Sequence, residues 1–254
     1  MIDTHTHLYS SEFDSDFPEV YQRALDKGVN RFYLPAIDSE THEKMLDLEA
    51  KYPDAIFAMM GLHPCSVKPE TWEQELEMVE KYLNQRDFPA IGEIGIDLYW
   101  DKTTLDIQIK AFERQIDWAI EHDLPIVIHT RESFDEVFAV LERKKHPKLR
   151  GVFHCFSGTL EQAHHAISLG FMLGIGGVVT FKNGKIDQFL HEIPLDHIVL
   201  ETDSPYLAPV PFRGKRNESS YVALVAGKLV DIYGVDYAEI DCRTTENALR
   251  MFGK

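Results

Sequence analysis

The chain has 254 residues, 44% apolar and 27% charged, close to an average soluble globular chain, which excludes wholesale disorder. Its 26 Lys and Arg against 42 Asp and Glu leave a net charge of −16, which excludes a protein that grips nucleic acid through a broad basic surface. A phosphate ester held at a local cationic point, such as a metal, stays open. The longest nearly apolar stretch, Phe171 to Phe181, falls short of the ~20 residues of a membrane span, so no membrane association is expected. The opening Met1-Ile2-Asp3-Thr4-His5 has no basic or apolar leader, so no secretory signal is expected. The three cysteines, Cys65, Cys155 and Cys242, have no CxxC spacing and read as reduced thiols of a cytoplasmic protein.

Short runs rich in Ile, Val and Phe alternate along the chain with longer segments of helical period. The first run, Met1–Leu8, carries Asp3-Thr4-His5-Thr6-His7 at its exit. A helix then opens at Asp14-Ser15-Asp16-Phe17-Pro18 and closes at Lys27-Gly28. The runs Val29–Ala36 and Ala55–Gly61 follow, the latter leading into Gly61-Leu62-His63-Pro64. Phe88–Gly95 ends in Ile91-Gly92-Glu93-Ile94-Gly95-Ile96-Asp97, and Leu105 to His122 is a long amphipathic helix. Leu124–Thr130 and Gly151–Phe156 exit at His129 and His154, and Thr159-Leu160-Glu161-Gln162 is a capping box for a helix that stops at Gly170. Phe171–Gly176 and His197–Thr202 complete the set, the last leading into Glu201-Thr202-Asp203. Thr244-Thr245-Glu246-Asn247 is expected to cap a short final helix to Met251-Phe252. Eight buried runs, each followed by a helix, in one domain spanning 1–254, predict an α/β fold: a single (β/α)8 TIM barrel.

The exits of these runs concentrate metal-ligand chemistry. Residues two apart on a strand face one side, so His5 and His7 can chelate one ion together. A carboxylate such as Glu93 is not buried without a partner, and a metal serves more easily than a distant cation. The glycines beside Glu93 point to a close approach of backbone or ligand. Four histidines and two carboxylates suffice for two ions that share a bridging carboxylate, at the C-terminal ends of the strands where barrel active sites lie. His63 lies on the same face without a partner at ligand spacing and reads as a group behind the ligands or a substrate contact. Cys155 is expected to face away from His154 and pack. The other histidines, His42 among them, are expected in solvent or capping roles. The cationic loop Arg213-Gly214-Lys215-Arg216-Asn217 offers Arg213 and Arg216 as clamps for phosphate oxygens.

These motifs, with Phe-His-Cys-Phe-Ser-Gly at 153–158 and Glu-Thr-Asp-Ser-Pro-Tyr-Leu at 201–207, strongly resemble the TatD family of metal-dependent deoxyribonucleases, in order and across essentially the whole chain. The resemblance implies a hydrolase with 3′→5′ exonuclease activity on DNA and two divalent ions. His5, His7, Glu93 and Asp203 are implied to hold one ion; Glu93, His129 and His154 hold the second. Asp203 and Glu93 are the implied catalytic carboxylates, His63 and Arg213 touch the substrate phosphate, and Glu201 stands behind the ligands. The imidazoles favour Zn2+, Mn2+ or Ni2+ over Mg2+, whereas the family is generally described as Mg2+-dependent. One departure is Asn217-Glu218-Ser219-Ser220, where the family typically has a proline; a serine there is expected to cap the next helix. Another ester or amide, such as D-aminoacyl-tRNA, is the competing substrate.

Overall fold

Residues 1–253 are described by a computed structural model. The apolar runs become short parallel strands because their side chains are buried on both faces. They are β1 (Ile2–Asp3), β2 (Arg31–Leu34), β3 (Ile56–Ala58), β4 (Ile91–Asp97), β5 (Ile126–Arg131), β6 (Gly151–Phe153), β7 (Phe171–Ile175) and β8 (Ile198–Leu200). Strands β1 to β3 form one parallel arc and β4 to β8 another. Bridges join the arcs at both seams. Met60 pairs with Ile91, with the Gly92 N–H donating to the Met60 carbonyl at 3.0 Å. Thr6 pairs with Ser204, and the Thr4 N–H donates to the Leu200 carbonyl at 3.0 Å. The result is a (β/α)8 barrel.

The helices are α1 (Phe17–Asp26), α2 (Ser39–Lys51), α3 (Trp72–Leu83), α4 (Leu105–His122), α5 (Phe134–Arg143), α6 (Leu160–Ser168), α7 (Val222–Tyr233) and α8 (Tyr237–Phe252). The capping box on α6 forms as expected: Thr159 Oγ1 accepts from the Gln162 N–H and Gln162 Oε1 from the Thr159 N–H. Two expectations fail. No α-helix lies between β7 and β8 among the described residues, and two follow β8 instead. The β7–β8 connection is a chain of 3-10 turns, broken by a left-handed Lys185 (φ 61°) and by Pro194. α7 is tied to it, Tyr233 Oη sitting within hydrogen-bond reach of the Leu190 and Ile193 carbonyls. The final helix is also not short. It starts at Asp236, whose carboxylate accepts from the Glu239 N–H, and Thr244 lies inside it with Oγ1 donating to the Ile240 carbonyl. A threonine hydroxyl satisfies an i−4 carbonyl as readily as it caps, so the Thr-Thr-Glu-Asn pattern misreads the start.

The barrel interior explains how the site is built. Ile2, Tyr33, Met59, Ala90, Val127, Val152, Met172 and Val199, one from each strand or its flank, form a layer closed below by Ala248, Met251 and Phe252 of α8. Ile128, Phe153 and Leu200 point the other way, into the layer under the helices. Strand alternation then returns His129, His154 and Glu201 to the interior, one step above Val127, Val152 and Val199. Apolar residues thus floor the barrel and titratable ones top it.

Candidate metal centre

Glu93 sits at the middle of that polar layer, 2% exposed, where β4 slips register against β5 between Gly92 and Ile94. Gly95, at φ 142°, lets β4 come so close that a Cβ there would lie 2.1 Å from the His129 carbonyl oxygen. The approach is of backbone on backbone at Gly95, whereas at Gly92, directly before Glu93, a Cβ would lie 2.7 Å from the Val127 Cβ.

The two oxygens of Glu93 face different groups. Oε2 lies 3.2 Å from His5 Nε2 and 3.9 Å from His7 Nε2, and Asp203 Oδ1 is 3.5 Å from His7 Nε2 and 3.8 Å from His5 Nε2. Oε1 lies 2.7 Å from His129 Nδ1, 3.4 Å from His63 Nε2 and 3.5 Å from His154 Nε2. The structure thus gathers His5, His7, Glu93, His129, His154, Asp203 and His63 into one cluster.

The outer hydrogen bonds set the tautomers. Tyr9 Oη donates to the Pro35 carbonyl at 2.6 Å, so His7 Nδ1, 2.9 Å away, donates to Tyr9 and keeps the lone pair of Nε2 for the cluster. His129 Nε2 donates to Asp97 Oδ2 at 2.8 Å, which leaves Nδ1 toward Glu93. His154 Nδ1 is 3.0 Å from Glu201 Oε1, an ion-pair contact outside hydrogen-bond geometry, and that oxygen accepts from the Cys155 N–H at 2.7 Å. Glu201 fits because β7 carries Gly174, where a Cβ would lie 2.2 Å from Glu201 Oε2. Such oxygens behind metal-binding imidazoles orient the ring and raise its basicity. His63 is different. Its Nδ1 accepts from the Cys65 N–H at 3.0 Å, so Nε2 carries the proton and is a donor rather than a ligand.

His5 supplies the test for a metal. It is fully buried, it stacks on His154 with centroids 3.5 Å apart, and neither of its ring nitrogens has a hydrogen-bond partner. Buried ring nitrogens without a hydrogen-bond partner, with Nε2 at 3.2 and 3.8 Å from the Glu93 and Asp203 carboxylates, fit a bound cation. Both acids of the cluster are also held ionised. Burial raises the Glu93 carboxyl, but His154, His63 and His5 outweigh it and hold it well below the usual range. Asp203 behaves alike: burial opposes ionisation, and His154, His7 and His5 overcome it. Asp203 (φ 58°) and Cys155 (φ 45°) are non-glycine residues in the left-handed region, held there by backbone bonds from Asp203 N–H to the His5 carbonyl and from Cys155 N–H to Glu201.

Several expectations need correction. Cys155 does not turn away: its left-handed backbone breaks strand alternation, and it lines a 260 Å³ cavity with His129, Arg131, His154 and Asp203. His63 has partners after all. Arg216 is no phosphate clamp, because it makes a bidentate pair with Asp16 at 2.6 and 2.8 Å and donates to the Glu12 carbonyl. Arg213 is exposed and lies over the Phe181 ring at 4.4 Å; no contact joins it to the cluster. Ser219 and Ser220 do not cap α7; their hydroxyls bond to Thr6 and Glu218. His42 is buried, edge-on to Tyr82, not in solvent. Asp97 and Tyr9 carry no assigned role in the sequence reading. Asp97 ends the Gly-Glu-Ile-Gly-Ile-Asp motif, four residues past Glu93 and so on the same strand face, which was a usable signal.

We expect Asp97→Asn to weaken metal binding by about 10–100-fold, since an amide accepts the His129 N–H less strongly and frees the ring. Metal titration of the variant checks this, and wild-type affinity would remove Asp97 from the centre.

A parallel-strand barrel with imidazoles and a shared carboxylate at the strand exits is the architecture of metal-dependent hydrolases. The comparisons with known proteins narrow this class. The family described as TatD related DNase matches residues 2–253, and the chain belongs to that family. It is 39% identical to the uncharacterized metal-dependent hydrolase YabD of Bacillus subtilis, over 99% of this chain and 98% of that one. It is 31% identical to the uncharacterized metal-dependent hydrolase YcfH of Escherichia coli, over 99% and 95%. The crystal structure of YjjV, a TatD homolog from E. coli, superposes with a TM-score of 0.94 at 31% identity, covering 100% of this chain and 98% of that one.

Proposed function

We propose that the protein is a divalent-metal-dependent phosphodiesterase acting on nucleic acid, most specifically a 3′→5′ exonuclease of single-stranded DNA or DNA ends. The carrying observation is the division of Glu93, one oxygen toward His5, His7 and Asp203 and the other toward His129 and His154. The family's description as a DNase supports the choice of bond. His5, His7, Glu93 and Asp203 hold one ion in this reading, and Glu93, His129 and His154 the second. Mg2+, Mn2+ or Zn2+ bound there would supply positive charge opposite a phosphoryl group and acidify water.

The chain's own groups do the rest. Asp203, ionised among the histidines, orients the attacking water and takes its proton. His63 Nε2–H, fixed as a donor by Cys65, hydrogen-bonds a phosphate oxygen. Glu201 and Asp97 hold the rings of His154 and His129 in place. Arg213 meets the phosphate only by leaving its seat on Phe181. The three free cysteines fit a reducing, cytoplasmic setting, and no described helix is long and apolar enough to cross a membrane.

The test is a time course on 5′-labelled single-stranded DNA with Mg2+ or Mn2+, and Glu93→Gln as the blank. A ladder shortening from the 3′ end in the wild type alone is expected. No shortening with any metal would overturn the reading and move the substrate to another ester, aminoacyl-tRNA first. With a net charge of −16 we also expect a shallow salt dependence of binding, and a log–log slope steeper than about −4 would contradict the few phosphate contacts this site provides.

A further inference from the structure

The loop after β4 carries two aromatic residues that packing does not use. Trp100 is 70% exposed and Tyr99 49%. They meet edge to face, with ring centroids 4.9 Å apart and planes at 87°. The Arg131 guanidinium lies 3.7 Å from the Tyr99 centroid and 5.5 Å from that of Trp100. No carboxylate among the described residues pairs with Arg131, although Asp and Glu outnumber Lys and Arg in this chain. Two large rings left in water cost apolar hydration, and the arginine beside them keeps its charge free.

This group is continuous with the metal centre. Arg131 lines the same cavity as His129, His154 and Asp203. The backbone N–H groups of Tyr99 and Trp100 donate to Asp97 Oδ1 at 2.9 and 3.1 Å, while Oδ2 of the same carboxylate holds His129. Asp97 and Arg131 are register partners of β4 and β5, and the Leu98 N–H donates to the Arg131 carbonyl at 3.0 Å. The rings therefore sit at a fixed offset from the reacting centre. The cavity itself, at 260 Å³, lies below the ~300 Å³ at the lower end of pockets that enclose a small molecule. A nucleotide with its phosphate in this cavity would leave its flat base outside it.

We propose that Tyr99, Trp100 and Arg131 form a stacking platform for an unpaired nucleobase next to the scissile phosphodiester, a proposal that rests on the nucleic-acid reading above. Stacking on aromatic rings beside a guanidinium needs no net positive charge and tolerates any base. It explains how an acidic protein holds a polyanion. It also restricts the substrate to single strands or frayed ends, because a base inside a duplex has no free face.

The test uses the metal-loaded protein and two oligomers of equal charge: octathymidylate, and the same backbone with abasic residues at its last 3′ positions. Phosphorothioate versions serve for binding. Expected are quenching of Trp100 fluorescence by the thymidylate and not by the abasic oligomer, with the signal absent in Trp100→Phe. Trp100→Ala raises KM for the thymidylate about 10-fold or more with kcat changed only a few-fold, and Trp100→Phe restores KM. The abasic oligomer raises KM similarly in the wild type and adds nothing in Trp100→Ala. Metal content equal to wild type in Trp100→Ala separates lost stacking from a disturbed Asp97. An unchanged KM in Trp100→Ala, or equal binding of both oligomers by the wild type, overturns the platform. Base-dependent quenching without any hydrolysis upholds the platform and overturns the phosphodiester reading instead.

Discussion

Glu93→Gln is expected to lower hydrolysis by about 10³-fold or more and to remove both ions together. Each Lewis acid contributes several kcal/mol of charge stabilisation, and each ~1.4 kcal/mol is a factor of ten in rate. The amide has the same shape, so the barrel survives. It offers one neutral oxygen where the carboxylate presents two charged ones, at 3.2 Å from His5 and 2.7 Å from His129. Both ligand groups then lose their shared anion at once. Metal analysis of the purified variant beside initial rates reads the two effects separately. Retention of one tightly held ion, or a rate within tenfold of wild type, would show that Glu93 does not bridge.

Asp203→Asn is expected to act differently. An acceptor of the water's proton contributes about 10²–10⁴-fold to the rate, and an asparagine cannot replace it. The position stays near His7 and His5, at 3.5 and 3.8 Å, so the variant keeps the second group, Glu93 with His129 and His154, intact. The expected result is a kcat loss in that range with one ion retained and KM changed little. A kcat within fivefold of wild type would place the proton elsewhere.

Most of this centre could be read from residue order, for physical reasons. A histidine or acid at the exit of a buried apolar run has few alternatives to the barrel's mouth, and strand alternation alone sends His129 and His154 inward above Val127 and Val152. What escaped depends on local backbone. The left-handed turn at Cys155 reverses its direction, and nothing in Phe-His-Cys-Phe-Ser-Gly announces it. Tyr9 becomes the acceptor for His7 only because its O–H donates to the Pro35 carbonyl, 26 residues away in sequence. Arg216 looked free because its partner Asp16 lies 200 residues earlier. The missing helix after β7 was hidden by an apolar run, Phe171 to Phe181, whose turns carry as many hydrophobic residues as a helix does.

The seam where Thr6 meets Ser204, and the floor supplied by Ala248, Met251 and Phe252, also fix when this protein becomes competent. His5 and His7 precede Asp203 by about 200 residues, so the two sides of this cluster are made at different times during synthesis. His5 and His7 meet Asp203 only once β8 has docked beside β1, and the apolar layer beneath them is closed only when Ala248, Met251 and Phe252 of α8 are in place. We therefore expect the complete cluster to assemble late in folding, and a chain without Ala248, Met251 and Phe252 to lack the floor of the barrel although His5, His7, Glu93, His129, His154 and Asp203 are all present.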